Sequence, residues 1–251
     1  MIDIHSHIIP KVDDGAKTIK ESIDMIKLSK AQGTNTIIAT PHYYFNKFEV
    51  KYFELKERLK EVLEKIKEEK IDIEILLGQE IYLHKDMFSW IKEGYIKTLN
   101  NTRYILVETF PTYYEKNNLD FIYELGIRGM VPILAHPERY LYIQKDLTIL
   151  NQFAKEGCLF QIDSGSITGD FGKQSQKVSL NLIKNGWGHF IASDSHGINK
   201  RSTNLKTSLE IVKKLNKDYY YMAKKNSELL IENKEIKSEL EFLKKKKFFI
   251  F

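Results

Sequence analysis

IDIHSHIIPKVDDG, residues 2–15, begins with a short apolar run that ends in two histidines, and later stretches repeat the form. TIIATPH (36–42), IEILLGQE (73–80), YILVE (104–108), VPILAH (131–136) and HFIASDSH (189–196) each pass through branched apolar residues to a histidine or carboxylate. Short apolar runs separated by helical stretches read as buried parallel strands. With the run ending at Asp163, strands are expected at 2–5, 36–40, 73–80, 103–108, 131–135, 159–163 and 189–193. Alternating strands and helices of this number point to an α/β fold with a closed or nearly closed barrel. A doubly wound open sheet is the alternative. A ring is preferred because polar residues from nearly every strand converge better inside one.

The intervening stretches read as helices. Thr18 and Glu21 have the spacing of a capping box, Ile19, Ile23 and Ile26 follow on one face, and Gly33 is the expected stop. Tyr52, Leu55, Leu59, Val62 and Ile66 form an apolar stripe in a helix around 50–69. Further helices are expected at 115–126, 146–156, 174–185 and 204–215, with terminal helices after about 216.

A chain of 251 residues suits one such domain, and no repeat or linker divides it. The net charge of +5 is spread by alternation of lysine with glutamate, as in FELKERLKEVLEKIKEEK, which is a solvated helix face and not a nucleic-acid patch. The first strand starts at residue 2, which leaves no room for a signal peptide, and no apolar run nears the roughly 20 residues of a membrane span. The expected compartment is the cytoplasm. The single cysteine, Cys158, excludes an internal disulfide and a cysteine-rich metal site. The tail KKKKFFIF, residues 244–251, could favour an anionic membrane surface, although a solvated or packed terminus is the simpler reading.

The candidate site is built from the strand ends. His5 and His7 lie two apart on a strand, so both side chains face one way and can grip one ion. Asp194 and His196 repeat the spacing, while Glu80 and Glu108 end apolar strands where an unpaired charge is costly. With Asp14, His42 and His136 they make nine imidazole and carboxylate groups without a thiolate. That donor set suits catalytic manganese, iron or zinc, and its size suits two or three ions. Arg139, three residues after His136, is a natural phosphate clamp, and Arg201 could be a second. Other chemistries fail on spacing: Ser164, not an arginine, stands six after Cys158, and GSITGDFGK lacks the Walker pattern. His84 and His189 read as ordinary histidines, and Asp163 as structural or at the margin of the site.

Through DIHSHIIPKVDDG, ATPHY, GQEIY, AHPERY and ASDSH, spanning residues 3–196, the chain resembles the PHP (polymerase and histidinol phosphatase) metallohydrolases. Within them it resembles the bacterial tyrosine-protein phosphatases of capsule and exopolysaccharide loci. The resemblance implies a distorted (β/α)7 TIM-like barrel, a PHP domain over 1–233, and a helix end with a basic and aromatic tail over 234–251. It implies three metals, usually manganese: the first on His5, His7, Glu80 and Asp194, the second on Glu80, Glu108 and His136, the third on Asp14, His42 and His196. Arg139 and Arg201 would bind phosphate, and hydroxide activated by the metals would attack phosphorus in line. The implied partner is a phosphotyrosine protein, a membrane-associated tyrosine kinase that regulates polysaccharide synthesis, met at the inner face of the membrane. A histidinol-phosphatase-like enzyme and a non-catalytic binding module on the same barrel are the alternatives. Two departures from the family pattern, Lys11 where glycine is common and ETFP after the fourth strand, touch the rim and remove no ligand.

Overall fold

All seven apolar runs form parallel strands, but two of them break midway. The computed structural model describes residues 1–238 and 240–244. Its strands are β1 (Ile2–Ser6), β2 (Thr36–Ala39), β3 (His42–Tyr43), β4 (Glu74–Leu77), β5 (Glu80–Tyr82), β6 (Tyr104–Glu108), β7 (Val131–Ala135), β8 (Leu159–Asp163) and β9 (Phe190–Ala192). Among the described residues they pair as two parallel sheets, β1-β2-β4 and β3-β5-β6-β7-β8-β9, and not as the single seven-stranded ring expected. The breaks fall at Thr40–Pro41 and Gly78–Gln79. Pro41 has no N–H to give to a ladder. Gly78 is pressed so close to its surroundings that a Cβ would stand 2.6 Å from Leu99 Cδ2.

Hydrogen bonds still hold the runs together across these breaks. Gly78 N donates to Ala39 O (2.8 Å) and Glu80 N to Pro41 O (3.1 Å). On the other side, a bridge joins Ser6 to Ser195, and Asp194 N and His7 N donate to His5 O and Ser195 O, both at 2.9 Å. The polar ends of β1 and β9 therefore lie side by side. Ile38, Leu106, Ile133, Leu159 and Phe190, all buried, come from the strand halves that precede the polar ends and pack into one cluster. Each such side chain contributes roughly 1.5–3 kcal/mol by leaving water. This core is the platform on which the costly polar layer rests.

The helices are α1 (Ile19–Ala31), α2 (Tyr52–Glu68), α3 (Met87–Glu93), α4 (Asn117–Ile127), α5 (Leu141–Lys145), α6 (Ile149–Lys155), α7 (Ser164–Thr168), α8 (Gly172–Lys184), α9 (Leu205–Leu215) and α10 (Lys217–Ile231). On α2 the expected stripe is buried in full. It packs with Ile23 and Ile26 of α1 against Ile37, Ala39, Ile75 and Leu77. At α1, Thr18 Oγ1 accepts from Glu21 N at 3.1 Å, but the Glu21 carboxylate takes Lys17 N at 2.8 Å, so only half the capping box is made. Gly33, at φ 93°, ends that helix as expected.

The C-terminus differs from expectation. A single helix ends at Ile231, and the described residues after it form neither helix nor strand. Asn233 at φ 54° takes the left-handed conformation that stops helices, and its side chain and carbonyl are held by Arg103. The following segment is tied back by Trp187 Nε1 to Glu241 O and by two bonds between Asn151 and Leu243. Of the tail singled out at 244–251, all but Lys244 lies outside the described residues. No helix among the described residues is long and apolar enough to cross a membrane. Cys158 is buried, at 1% exposure.

Candidate metal centre

Four donor atoms converge where β1 and β9 end and β5 begins. His5 Nε2 lies 3.1 Å from His7 Nε2, 3.1 Å from Glu80 Oε2 and 3.2 Å from Asp194 Oδ1. His7 Nε2 lies 3.3 Å from each of the same two carboxylate oxygens. These are five of the six edges among the four atoms, and a tetrahedron of such edges has its centre about 2 Å from each corner, the distance at which zinc and similar ions bind nitrogen and oxygen. These are the four residues expected for the first metal.

Around this quartet stand two further groups. His7, Asp14, His42 and His196 offer one set of atoms, and His42, Glu80 and Glu108 another, each set lying within 4.8 Å. His42 joins them, with Nε2 at 3.4 Å from Asp14 and Nδ1 at 3.0 Å from Glu80 and 2.9 Å from Glu108. The expected partner of Glu80 and Glu108 was His136. It reaches Glu80 from the other side, with Nε2 at 2.9 Å from Oε1. All nine residues singled out in the sequence are thus brought together. His136 at φ 36° and Asp194 at φ 46° hold left-handed backbone that costs side-chain-bearing residues roughly 1–2 kcal/mol. Strain of this kind collects at functional sites.

The donors fit cations. Glu80 Oε2, Asp194 Oδ1, His42 Nδ1 and His196 Nε2 are buried and make no hydrogen bond. Second partners also set the imidazoles: His5 Nδ1 meets Gln161 Oε1 at 2.9 Å and His7 Nδ1 meets Asp13 Oδ2 at 2.7 Å. Donation from Nδ1 leaves the Nε2 lone pairs of both rings facing each other and two carboxylates, an arrangement that needs positive charge between them. Burial opposes charging His5, yet Glu80 and Asp194 outweigh it and raise its pKa to about 9. Burial and then Arg139 push His136 down, and burial and then His7 push His196 down to about 4, so both rings are neutral donors near pH 7.

Sequence reasoning missed Asp13 and Gln161. Asp13 stands beside Asp14 in VDDG, and nothing in that string says which aspartate turns inward. Asp13 does so: it holds His7, and its Oδ1 accepts from Gly15 N and its Oδ2 from His42 N. The contact with His7 keeps the Asp13 carboxyl down at about 2, against the opposing effect of burial. Asp13→Asn is expected to weaken metal binding roughly 10–100-fold without unfolding the protein. Metal titration by calorimetry tests this, and an unchanged affinity would remove Asp13 from the site. Glu138 is fully buried behind Arg139, accepts from Asp163 N, and has its pKa raised by burial to about 7.

Both arginines converge on the one Asp194 oxygen that the quartet leaves over. Arg139 Nη1 lies 2.5 Å and Arg201 Nη2 2.8 Å from Asp194 Oδ2. Arg139 also reaches Asp163 Oδ2 at 3.1 Å, which puts Asp163 at the edge of the site. The Arg139 guanidinium lies 4.2 Å from the centre of the Phe171 ring, with Arg201 at 6.0 Å. Stacking on Phe171 leaves hydrogen-bond donors free at the guanidinium edges. His189 lies apart, bonded to Phe160 N and Ser238 Oγ, and His84 stacks on Trp90 at 5.1 Å.

The model of the family described as "Capsular polysaccharide synthesis, CpsB/CapC" matches residues 1–235. The tyrosine-protein phosphatase YwqE of Bacillus subtilis is 35% identical over 241 residues, covering 94% of this chain and 93% of that protein. The tyrosine-protein phosphatase CpsB of Streptococcus pneumoniae is 33% identical, covering 93% and 96%. A chain from the crystal structures of YwqE and CpsB, described as metal-dependent tyrosine phosphatases, superposes with a TM-score of 0.93 over 98% of this chain, at 33% identity. Histidinol phosphate phosphatase of Lactococcus lactis, solved with zinc, L-histidinol and phosphate, shares the fold with a TM-score of 0.54 at 14% identity.

Proposed function

This chain belongs to the capsular polysaccharide synthesis family CpsB/CapC, and we infer its chemistry from that premise: it is a metal-dependent tyrosine-protein phosphatase. The observation that carries the residue-level reading is the quartet of His5, His7, Glu80 and Asp194, with separations of 3.1–3.3 Å around one centre. We take Glu108, with Glu80 shared and His136 on its far oxygen, as holding a second ion. Asp14, His42 and His196 would hold a third. An all-nitrogen-and-oxygen set favours manganese, with iron or zinc as alternatives. The two sheets are read as one distorted barrel open at this end.

Divalent ions held there would supply an acidified water and offset negative charge on a phosphoryl group. The chain itself does the positioning. Arg139 and Arg201, fixed by Asp194 and Phe171, present guanidinium edges to the phosphate oxygens and orient the ester. His136, kept neutral by burial and Arg139, stands against Glu80 where it can bind or pass a proton. A phenolate leaves readily, so strong acid assistance to the leaving oxygen is unnecessary. The substrate is proposed to be a phosphotyrosine protein of capsule synthesis, more narrowly its tyrosine kinase, met at the cytoplasmic face of the membrane; membership of a capsule-synthesis family supports this.

Phosphate release from a phosphotyrosyl peptide should require added manganese and stop with excess chelator. It should exceed release from histidinol phosphate. Metal-loaded, folded protein that releases no phosphate from the peptide would overturn the reading.

A further inference from the structure

Three neighbouring strands carry the same two-residue pattern at their ends. His42 is followed two positions later by Tyr44, Glu80 by Tyr82 and Glu108 by Phe110. Alternate residues of a strand share a face, so Tyr82 follows Glu80 on the same side of β5, roughly 6.6 Å further along, while Tyr44 and Phe110 lie just past the ends of β3 and β6. The register aligns His42 with Glu80 but staggers β6 by one such step, so that Glu108 stands level with Tyr82. The three rings touch. Tyr44 and Tyr82 stack with centres 4.2 Å apart and planes 5° apart, and Tyr82 meets Phe110 edge-on at 4.8 Å. Tyr113 continues the row, stacked on Phe110 at 4.6 Å. Exposure rises along it, from 6% at Tyr82 to 48% at Tyr113. Phe48 adds a further ring, stacked on His42 itself at 5.7 Å.

We propose that Tyr44, Tyr82, Phe110 and Tyr113 form the wall that receives the aryl group of the substrate, and that this wall determines the preference for aryl over alkyl phosphate esters. The proposal rests on the phosphatase reading above for the place of the phosphate. Phosphorus held among His42, Glu80 and the arginines would sit one step below Tyr44 and Tyr82. The strand rise of about 6.6 Å over that step is close to the span of a phosphorylated phenol. A phosphotyrosine ring therefore comes level with the wall, where offset or edge-on contact is favourable. A phosphoserine has no ring to place there and would leave the apolar wall facing solvent. The arginines rest on a different ring, Phe171, which is not part of this row.

Phenylphosphonate and methylphosphonate share the anionic head, lack a cleavable ester and differ only in the ring. Their binding to manganese-loaded protein can be measured by calorimetry whether or not turnover occurs. The wild type should bind phenylphosphonate at least tenfold more tightly than methylphosphonate. Phe110→Ala should cut that ratio roughly tenfold, with methylphosphonate affinity unchanged and Phe110→Tyr restoring the ratio. In turnover, Phe110→Ala should raise KM for a phosphotyrosyl peptide more than it lowers kcat. Tyr44→Ala serves as a second variant if Phe110→Ala fails to fold. A ratio unchanged in a folded variant, or equal loss for both phosphonates, overturns the wall and leaves the phosphatase reading standing. A ring-dependent ratio in a protein that releases no phosphate from any aryl ester supports the wall and overturns the phosphatase reading.

Discussion

Replacing Glu80 with glutamine should abolish metal-dependent phosphate release while leaving a folded protein. One carboxylate serves two of the three donor groups: Oε2 meets His5, His7 and His42 at 3.1, 3.3 and 3.0 Å, and Oε1 meets His136 at 2.9 Å. Glutamine keeps the shape, removes the charge, and places amide hydrogens or a neutral oxygen among imidazole nitrogens. In the wild type the carboxyl is held well below its usual range: burial opposes this, and His5 and His42 outweigh it. The loss of activity should exceed the roughly 10–100-fold typical of residues that only orient a ligand. Stability gives an independent readout. Manganese at a hundredfold excess over Kd stabilises a folded protein by about 2.7 kcal/mol, worth about 5–10 °C in a domain of this size. The wild type should show that rise in Tm and Glu80→Gln should not. Turnover above a tenth of wild type in the variant would remove Glu80 from the centre of the site.

Gly15→Ala should be nearly as severe, for a reason that involves no charge. A Cβ at Gly15 would lie 2.2 Å from His7 O and 2.5 Å from His7 Cβ. Neither atom can rotate away, because one is backbone and the other is the root of a side chain. The loop is also held by Ala16 N to His7 O at 3.0 Å and Gly15 N to Asp13 Oδ1 at 2.8 Å. The added methyl must therefore part the loop from the end of β1, and His7, Asp13 and Asp14 move with it. Overpacking of this kind costs roughly 1–3 kcal/mol, and a displacement near 1 Å at a reacting centre can cost about a hundredfold in rate. Both losses are expected together. Gly126, inside α4, provides the control, since a Cβ there meets nothing within 4 Å. Gly126→Ala should be neutral or stabilising by about 0.4–1 kcal/mol. A Gly15→Ala protein with wild-type Tm and turnover would show that the loop yields at no cost.

The strands and ligands were legible because period two and burial leave their mark on short strings. A histidine or carboxylate at the end of an apolar run has nowhere to go but the polar end of the parallel strands. His5 with His7 and Asp194 with His196 share faces whatever surrounds them. The capping residue Thr18 and the α2 stripe were legible for the same local reason. Long-range packing left no such mark. VDDG does not reveal that Asp13 turns in to hold His7 while Asp14 stays half-exposed. AHPERY does not reveal that Glu138 is buried behind Arg139. The terminal segment carries Ile236, Leu240 and Leu243 at helical spacing, yet Asn233 stops the helix, and contacts to Arg103, Asn151 and Trp187 hold the segment in place.

The order of the strands' polar ends, the types of donor and the side of each strand they occupy were determined by the sequence itself, since each depends on neighbours within a few residues. Which donors share an ion, how Pro41 and Gly78 divide one expected ring into two sheets, and how the Asp194 carboxylate splits between histidines and arginines were decided only by tertiary structure. Those outcomes depend on distances between residues up to 190 positions apart, as with Asp3 and Ser193. Such distances are set by the packing of all the strands at once.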